Sequence, residues 1–179
     1  MRFNLYLIIF LLFFENALTD DWNIINIEDN TKYFEIESYD SLNYIISGEF
    51  QQKIGNQIDW FTFIKKTKDA GKLWEFVWKN NFSIPDNIEV DKPFKLSMLT
   101  KDIIINGTEH GLILRTSNSG ETWDTTNFGS NTKCNALSFY DKIHGAAFFS
   151  LTDYIAMSDD SGKSWSKISK PIIEDFDIN

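Results

Sequence analysis

The sequence contains little cysteine, histidine and proline, and these shortages exclude several classes of function. The 179 residues include one cysteine, two histidines and three prolines. The lone Cys134 excludes a disulfide within the chain, and we expect it to be a small, buried apolar residue. His110 and His144 lie in separate turns, without the spacing of metal ligands. The sequence therefore predicts no metal site and no cofactor.

Arginine is also scarce, and acidic residues outnumber basic ones. Arg2 and Arg115 are the only arginines, and the formal net charge is −9 at pH 7. Nucleic-acid binding needs basic surfaces that neutralise phosphates, so this acidic balance argues against a nucleic-acid partner. A Gly-rich phosphate loop and a Gly-x-Ser-x-Gly nucleophile elbow are both missing. Composition and motifs therefore favour a chain that is not an enzyme.

Long apolar runs are confined to the start of the chain. Arg2 is followed by an apolar run that ends at Phe14 and then by "ENALT". This is typical of a secretory signal peptide, and the run is shorter than the ~20 residues that span a bilayer. We expect cleavage of residues 1–19 and a secreted, periplasmic or extracellular chain without stable membrane insertion; an uncleaved anchor is the alternative. In a eukaryotic source the sequons at Asn81 and Asn106 would become relevant.

What the sequence does contain is a short motif that occurs three times, at steps of 49 and 42 residues. The copies read "TKDAGKLW", "TSNSGETW" and "SDDSGKSW", and they are called boxes 1, 2 and 3 below. A motif repeated at this period indicates a repeat architecture. The residues that match among the three boxes are Thr67, Asp69, Gly71 and Trp74; Thr116, Asn118, Gly120 and Trp123; and Ser158, Asp160, Gly162 and Trp165.

The residues around box 3 predict four short strands. "NALSF", "GAAFFS", "YIAMS" and "SWSKIS" are apolar or alternating runs separated by turn-forming residues. A unit of four antiparallel strands in about 42 residues is a β-propeller blade. We therefore expect an all-β fold over residues 20–179, with three blades at approximately 33–80, 92–130 and 134–170. The result would be a partial or open propeller.

The boxes themselves are predicted to be structural. An Asp or Asn side chain can accept backbone hydrogen bonds in a tight turn, and the glycine supplies the positive φ that closes a hairpin. The tryptophan is expected to fold beneath the turn and to become buried. None of these roles requires catalysis.

The boxes resemble the Asp-box, also called the bacterial neuraminidase repeat, with the pattern Ser/Thr-x-Asp-x-Gly-x-Thr-Trp. The resemblance implies a turn between the third and fourth strands of a propeller blade. With "NALSFYDKIHGAAF" ahead of box 3, the unit is most similar to the propeller family of photosystem II assembly factors and to secreted proteins built from the same repeat. Asn118 replaces the usual Asp in box 2, and Leu73 replaces the usual Thr in box 1. The motif specifies an architecture and leaves the function open.

The resemblance suggests three functions, and the residue content argues against each of them. Sialidases of this kind hold a substrate carboxylate with three arginines, which Arg115 alone cannot supply. Sortilin-like receptors carry a cysteine-rich module and a membrane span, and the photosystem II assembly role is thought to use a basic arginine patch. We expect a non-catalytic, exported propeller repeat protein that acts as a protein- or glycan-binding or assembly module. A sialidase-like glycoside hydrolase fragment or a sortilin-like receptor fragment is the alternative.

Three boxes are fewer than the 4–8 blades of a closed propeller. The chain is then a fragment, an open arc, or an arc that closes with another copy, so self-association and additional blades both remain open. "DDWNIINI" from Asp20 and "IIEDFDIN" from Ile172 are candidate strands of further blades. A longer segment between Glu49 and Asp59 is a candidate contact loop.

Overall fold

The computed structural model describes residues 31–83 and 91–169, which form twelve β-strands and no helix. The strands make three four-stranded antiparallel sheets, each in chain order. The predicted all-β fold with propeller blades is therefore confirmed. No helix among the described residues could cross a membrane. The leader and the two candidate strands at Asp20 and Ile172 lie outside the described residues.

Each blade occupies one continuous stretch of the chain. Blade 1 contains β1 Thr31–Ser38, β2 Tyr44–Ile54, β3 Gln57–Thr67 and β4 Glu75–Ser83. Blade 2 contains β5 Pro93–Met98, β6 Ile104–Thr108, β7 Leu112–Thr116 and β8 Asp124–Asn127. Blade 3 contains β9 Cys134–Phe139, β10 Gly145–Phe149, β11 Tyr154–Ser158 and β12 Ser166–Ser169. The first strands β1, β5 and β9 contact one another in order, as the inner strands of a propeller do.

The hydrophobic core lies between the blades. One cluster joins Ile45 and Ile64 of blade 1 to three apolar residues of blade 2, namely Leu96, Met98 and Ile104. A second cluster joins blades 2 and 3, where the rings of Phe128 and Phe149 stack with centroids 4.5 Å apart. Cys134 belongs to this second cluster; it is fully buried, as predicted, and burial raises its thiol pKa to about 12.

The segment between Glu49 and Asp59 is not a loop. Strands β2 and β3 continue through it and remain paired as far as Ile54 and Gln57, so that only Gly55 and Asn56 form the turn. The φ of Gly55 is +64°, which suits glycine in a tight hairpin. The extra residues therefore lengthen a hairpin of blade 1, and the predicted contact loop was wrong.

A row of alternating charges joins the blades at the end opposite the boxes. The ammonium groups and carboxylates lie 3.3–3.9 Å apart in the sequence Lys32, Glu49, Lys92, Glu109 and Lys133. Each lysine is at or just before the first strand of its blade. Glu49 is buried, whereas Lys92, Glu109 and Lys133 are about one third exposed, so each ion pair on the partly exposed side contributes little stability on its own.

Candidate binding surface at the box end

The three boxes form the same hydrogen-bonded turn between the third and fourth strands. In box 3 the Ser158 hydroxyl donates to Asp160 Oδ1 (3.0 Å) and accepts from the Gly162 N–H (2.8 Å). Asp160 Oδ1 also accepts from the Ser164 N–H at 2.9 Å. Boxes 1 and 2 repeat these contacts through Thr67, Asp69, Gly71 and Leu73, and through Thr116, Asn118, Gly120 and Thr122.

The departures from the Asp-box pattern are accommodated by this turn. Leu73 contributes only its backbone N–H, so the usual Thr is not needed there. Asn118 accepts through its amide oxygen as the aspartates accept through a carboxylate. The glycines have φ of +85°, +94° and +76°, as predicted for Gly71, Gly120 and Gly162. The residue before each glycine also has a positive φ, which the sequence did not reveal.

The box glycines of blades 2 and 3 press against the preceding blade. A Cβ atom on Gly120 would lie 2.5 Å from Val77 Cβ, and one on Gly162 would lie 2.5 Å from Ile105 Cδ1. Both distances are shorter than van der Waals contact, so the neighbouring blades can pack this closely only because the box residue is glycine. The box glycine therefore permits close packing between blades and also closes the turn.

The tryptophans of boxes 2 and 3 pack at the seams with the preceding blade but are only half-buried. Trp123 Nε1 donates to the Val77 carbonyl of blade 1 at 3.0 Å. Trp165 packs edge-on against Phe128 of blade 2 and Phe139 of its own blade, at 6.4 and 6.0 Å between centroids. Trp74 is also half-buried. The sequence predicted buried tryptophans, and all three are partly buried.

A basic residue directly before the box reaches across the seam in blades 1 and 2. Lys66 Nζ donates to Ser119 Oγ at 3.0 Å and to the Lys101 carbonyl. Arg115 Nε donates to the Ser161 carbonyl at 2.9 Å. Both side chains are buried, and Arg115 is only 5 % exposed. We call these the cross-blade cations; the repeat of Lys-Thr and Arg-Thr before the box is the sequence signal that could have revealed them.

The turn between the first and second strands also repeats and lies beside the box. Asp40 Oδ1 accepts from two backbone N–H groups in blade 1, and Asp141 Oδ1 does so in blade 3 at 2.7 Å each. The His144 N–H groups, from the backbone and then the ring, hold the pKa of Asp141 down to about 2. The boxes and these turns together form one end of the blades, the box end.

Apolar side chains are exposed at the box end. The box-end patch consists of Tyr39 and Leu42 from blade 1 and Tyr140 and Ile143 from blade 3, and Tyr140 is 93 % exposed. Lys142 of blade 3 lies with its Nζ 3.5 Å from the Tyr39 hydroxyl. The two turns therefore come into contact through Lys142 and Tyr39. Exposed apolar patches of this kind are typical of interaction sites.

The described residues show three further features. No group of three metal-ligating side chains occurs in residues 31–83 and 91–169. A depression beside box 1 has a volume of about 80 Å³, whereas ligand pockets occupy roughly 300–1,000 Å³. Asn106 lies in β6 and is fully buried, so its sequon is inaccessible in the folded chain. The side chain of Asn81 lies outside the described part.

The fold defines a β-propeller protein, and one of the solved structures that it matches supports this class. One titled "YCF48 bound to D1 peptide" matches with a TM-score of 0.53 and 15% identity, covering 82% of this chain and 43% of that chain. One titled "YCF48 from Cyanidioschyzon merolae" matches with a TM-score of 0.47 and 11% identity, covering 84% and 60%. The chain thus spans less than two thirds of either neighbour. No protein-family model matches the sequence, and a search of curated proteins gives no significant match.

Proposed function

We propose that this chain is a non-catalytic propeller module that binds a protein partner at its box end. The observation that carries the proposal is the box-end patch, in which two turns from different blades expose tyrosine and aliphatic side chains around Lys142. Tyrosine is enriched in the cores of protein interfaces. The propeller neighbour that is titled as bound to a D1 peptide supports a peptide or protein partner over a glycan.

The residues of the patch indicate which chemical groups the partner should carry. The carboxylates of Asp40 and Asp141 are occupied by N–H donors within their own turns. Lys142 stands beside them, with its Nζ 5.6 Å from the centre of the Tyr39 ring. A segment with apolar side chains and a carboxylate would therefore match the surface. The alternatives of a sialidase-like or receptor fragment gain no support from the described residues.

A photo-crosslinking amino acid placed at position 140 tests the proposal in the cells that produce the protein. We expect it to form a discrete adduct with another protein, because Tyr140 projects from the patch. The matched control is the same amino acid at Leu151, which is 90 % exposed at the opposite end of blade 3. An equal adduct from position 151, or no adduct from position 140, would contradict the assignment. An adduct with twice the mass of the chain would report self-association instead.

We also propose that the module is exported. The support is the leader-like composition of residues 1–19. N-terminal sequencing of the protein should begin at Asp20, because small residues precede that position. Protein that begins at Met1 and remains in the cytoplasm would show that the leader is neither cleaved nor used.

A further inference from the structure

Three polar side chains are fully buried where blade 1 meets blade 2. Ser47 in β2 and Thr62 in β3 belong to blade 1, Asn106 in β6 belongs to blade 2, and each is 0 % exposed. The two hydroxyl oxygens, and both the amide oxygen and the amide nitrogen of Asn106, have no hydrogen-bond partner among the described residues. Buried polar side chains of folded proteins are almost always hydrogen-bonded. These four atoms therefore require a partner that is not a protein group of the two blades.

Strand alternation places the three side chains on facing surfaces of one seam. Side chains two positions apart in a strand point to the same face of a sheet. Two positions from them, in the same three strands, are residues of the core cluster that joins blades 1 and 2, namely Ile45, Ile64 and Ile104. In the β2–β3 pair Ser47 lies opposite Ile64, so Ser47 and Thr62 are diagonal neighbours on this face. Diagonal neighbours lie about 7 Å apart, which suits a bridging water better than a direct hydrogen bond.

The seam between blades 2 and 3 is apolar at the equivalent positions. The strand registers place Gly107 where blade 1 has Ser47, Gly111 where it has Thr62, and Ala147 where blade 2 has Asn106. The sulfur of Cys134 fills the space beside Gly107, since a Cβ atom on that glycine would lie 2.2 Å from it. Two blades of this fold can thus pack together without polar side chains at these positions. The polar groups between blades 1 and 2 are therefore not a requirement of the repeat.

We propose that Ser47, Thr62 and Asn106 form a binding site for ordered water between blades 1 and 2. A water molecule both donates and accepts hydrogen bonds, so it can serve the amide nitrogen of Asn106 as well as the three oxygens. A metal cation would serve the oxygens alone and would leave the amide nitrogen without an acceptor. Bound water gives the first seam a hydrogen-bonded bridge in its interior, which the second seam lacks. This goes beyond the proposed function, because the box-end patch is a separate surface.

Magnetic relaxation dispersion of the oxygen nucleus of water tests the site in the full chain, because the method counts water molecules that stay inside a protein. Asn106→Leu should lose amplitude equal to at least one water molecule per chain. Leucine removes both amide groups, and its extra volume occupies the space of the water. Equal amplitude in the variant and the wild type, with both proteins folded, would overturn the proposal.

Cys134→Ala is the matched control in the other seam. The substitution opens space among the apolar residues between blades 2 and 3, and apolar cavities stay dry. The dispersion amplitude should therefore equal that of the wild type. A gain of amplitude would show that a seam takes up water without polar side chains, and this would contradict the role given to Ser47, Thr62 and Asn106.

Thr62→Val gives a second measurement that does not depend on the folding of Asn106→Leu. Valine keeps the shape of threonine and removes the hydroxyl. If water binds this hydroxyl, the melting temperature should fall by about 2–4 °C, the shift for one lost hydrogen bond in a chain of this size. If the hydroxyl had no partner, valine would remove an unsatisfied polar group and the melting temperature would rise. Thr125→Val changes an exposed threonine of β8 and should leave the melting temperature unchanged. A melting temperature of Thr62→Val at or above that of the wild type would contradict the proposal.

Exchange of the salt in the buffer separates water from a bound cation. The wild type should melt at the same temperature in sodium, potassium and choline chloride at equal ionic strength, because water needs no particular cation. A melting temperature raised by one of these cations and lost in Asn106→Leu would indicate a metal ion at the three side chains. That result would overturn the assignment of water.

Discussion

Replacing Trp165 with alanine should lower the free energy of unfolding by about 2–3 kcal/mol, less than the ~3–5 kcal/mol of a fully buried tryptophan because the indole is half-buried. The indole ring covers the seam between blades 2 and 3, in contact with Phe128 and Phe139. Its removal exposes the core cluster of that seam, which includes Phe149 and Cys134. Urea denaturation followed by circular dichroism measures the loss.

Trp165→Phe is the control for the contact itself. A phenylalanine ring can keep the edge-on contacts but loses the N–H that donates to the Gly162 carbonyl at 3.2 Å. We expect it to cost about 1 kcal/mol, the net value of one hydrogen bond. If the alanine variant lost no more than the phenylalanine variant, the indole would be a surface group and the seam would be closed by other residues.

Asp160→Ala should destabilise the chain at neutral pH by about 1–2 kcal/mol, whereas Asp160→Asn should be nearly neutral. The carboxylate accepts from the Ser164 N–H and hydroxyl and from the Ser158 hydroxyl. Loss of a hydrogen-bond acceptor costs about 1–3 kcal/mol, and water can replace part of it at this half-buried site. Asparagine keeps the accepting oxygen, as Asn118 does in box 2. Chemical denaturation at pH 7 compares the two.

The wild type and Asp160→Asn should also differ in how their stability changes at acidic pH. Hydrogen bonds from the Ser164 hydroxyl and then its N–H hold the pKa of Asp160 at about 2 in the folded chain, below the ~3.9 of an unfolded aspartate. The stability that this carboxylate contributes is present above pH 4 and is lost as the pH falls towards 2. The wild type should therefore lose more stability than Asp160→Asn between pH 5 and pH 2. Parallel pH curves would show that the carboxylate charge does not matter.

The blades could be predicted because their signals are local. Alternating apolar residues, turn residues and the box lie within about 42 residues of one another, so strand number and turn position follow from one unit. The extended hairpin of blade 1 was misjudged because its residues between Gln51 and Ile58 are mostly polar and exposed. Because these residues are polar, the sequence suggested a loop. The backbone hydrogen bonds nevertheless extend both strands to Ile54 and Gln57.

The contacts between blades could not be predicted in the same way. The cross-blade cations bind partners 46 and 53 residues away, and one of these partners is a backbone carbonyl that carries no residue signature. The box-end patch depends on the meeting of Tyr39 and Lys142, which are 103 residues apart. Such long-range pairs can be identified only when the spatial arrangement of the three blades is known.

Among the described residues, blade 2 makes both halves of the cross-blade contact. Arg115 donates towards the following blade, while Ser119 and the Lys101 carbonyl accept from the preceding one. A tandem duplication of this unit would therefore present matched chemistry at each new seam, since its own cation would meet a copy of its own box turn. A duplication of blade 3 would instead set Met157 against a box turn at the new seam. In a gene that grows by copying whole units, the middle blade is the module that can be added without altering a residue.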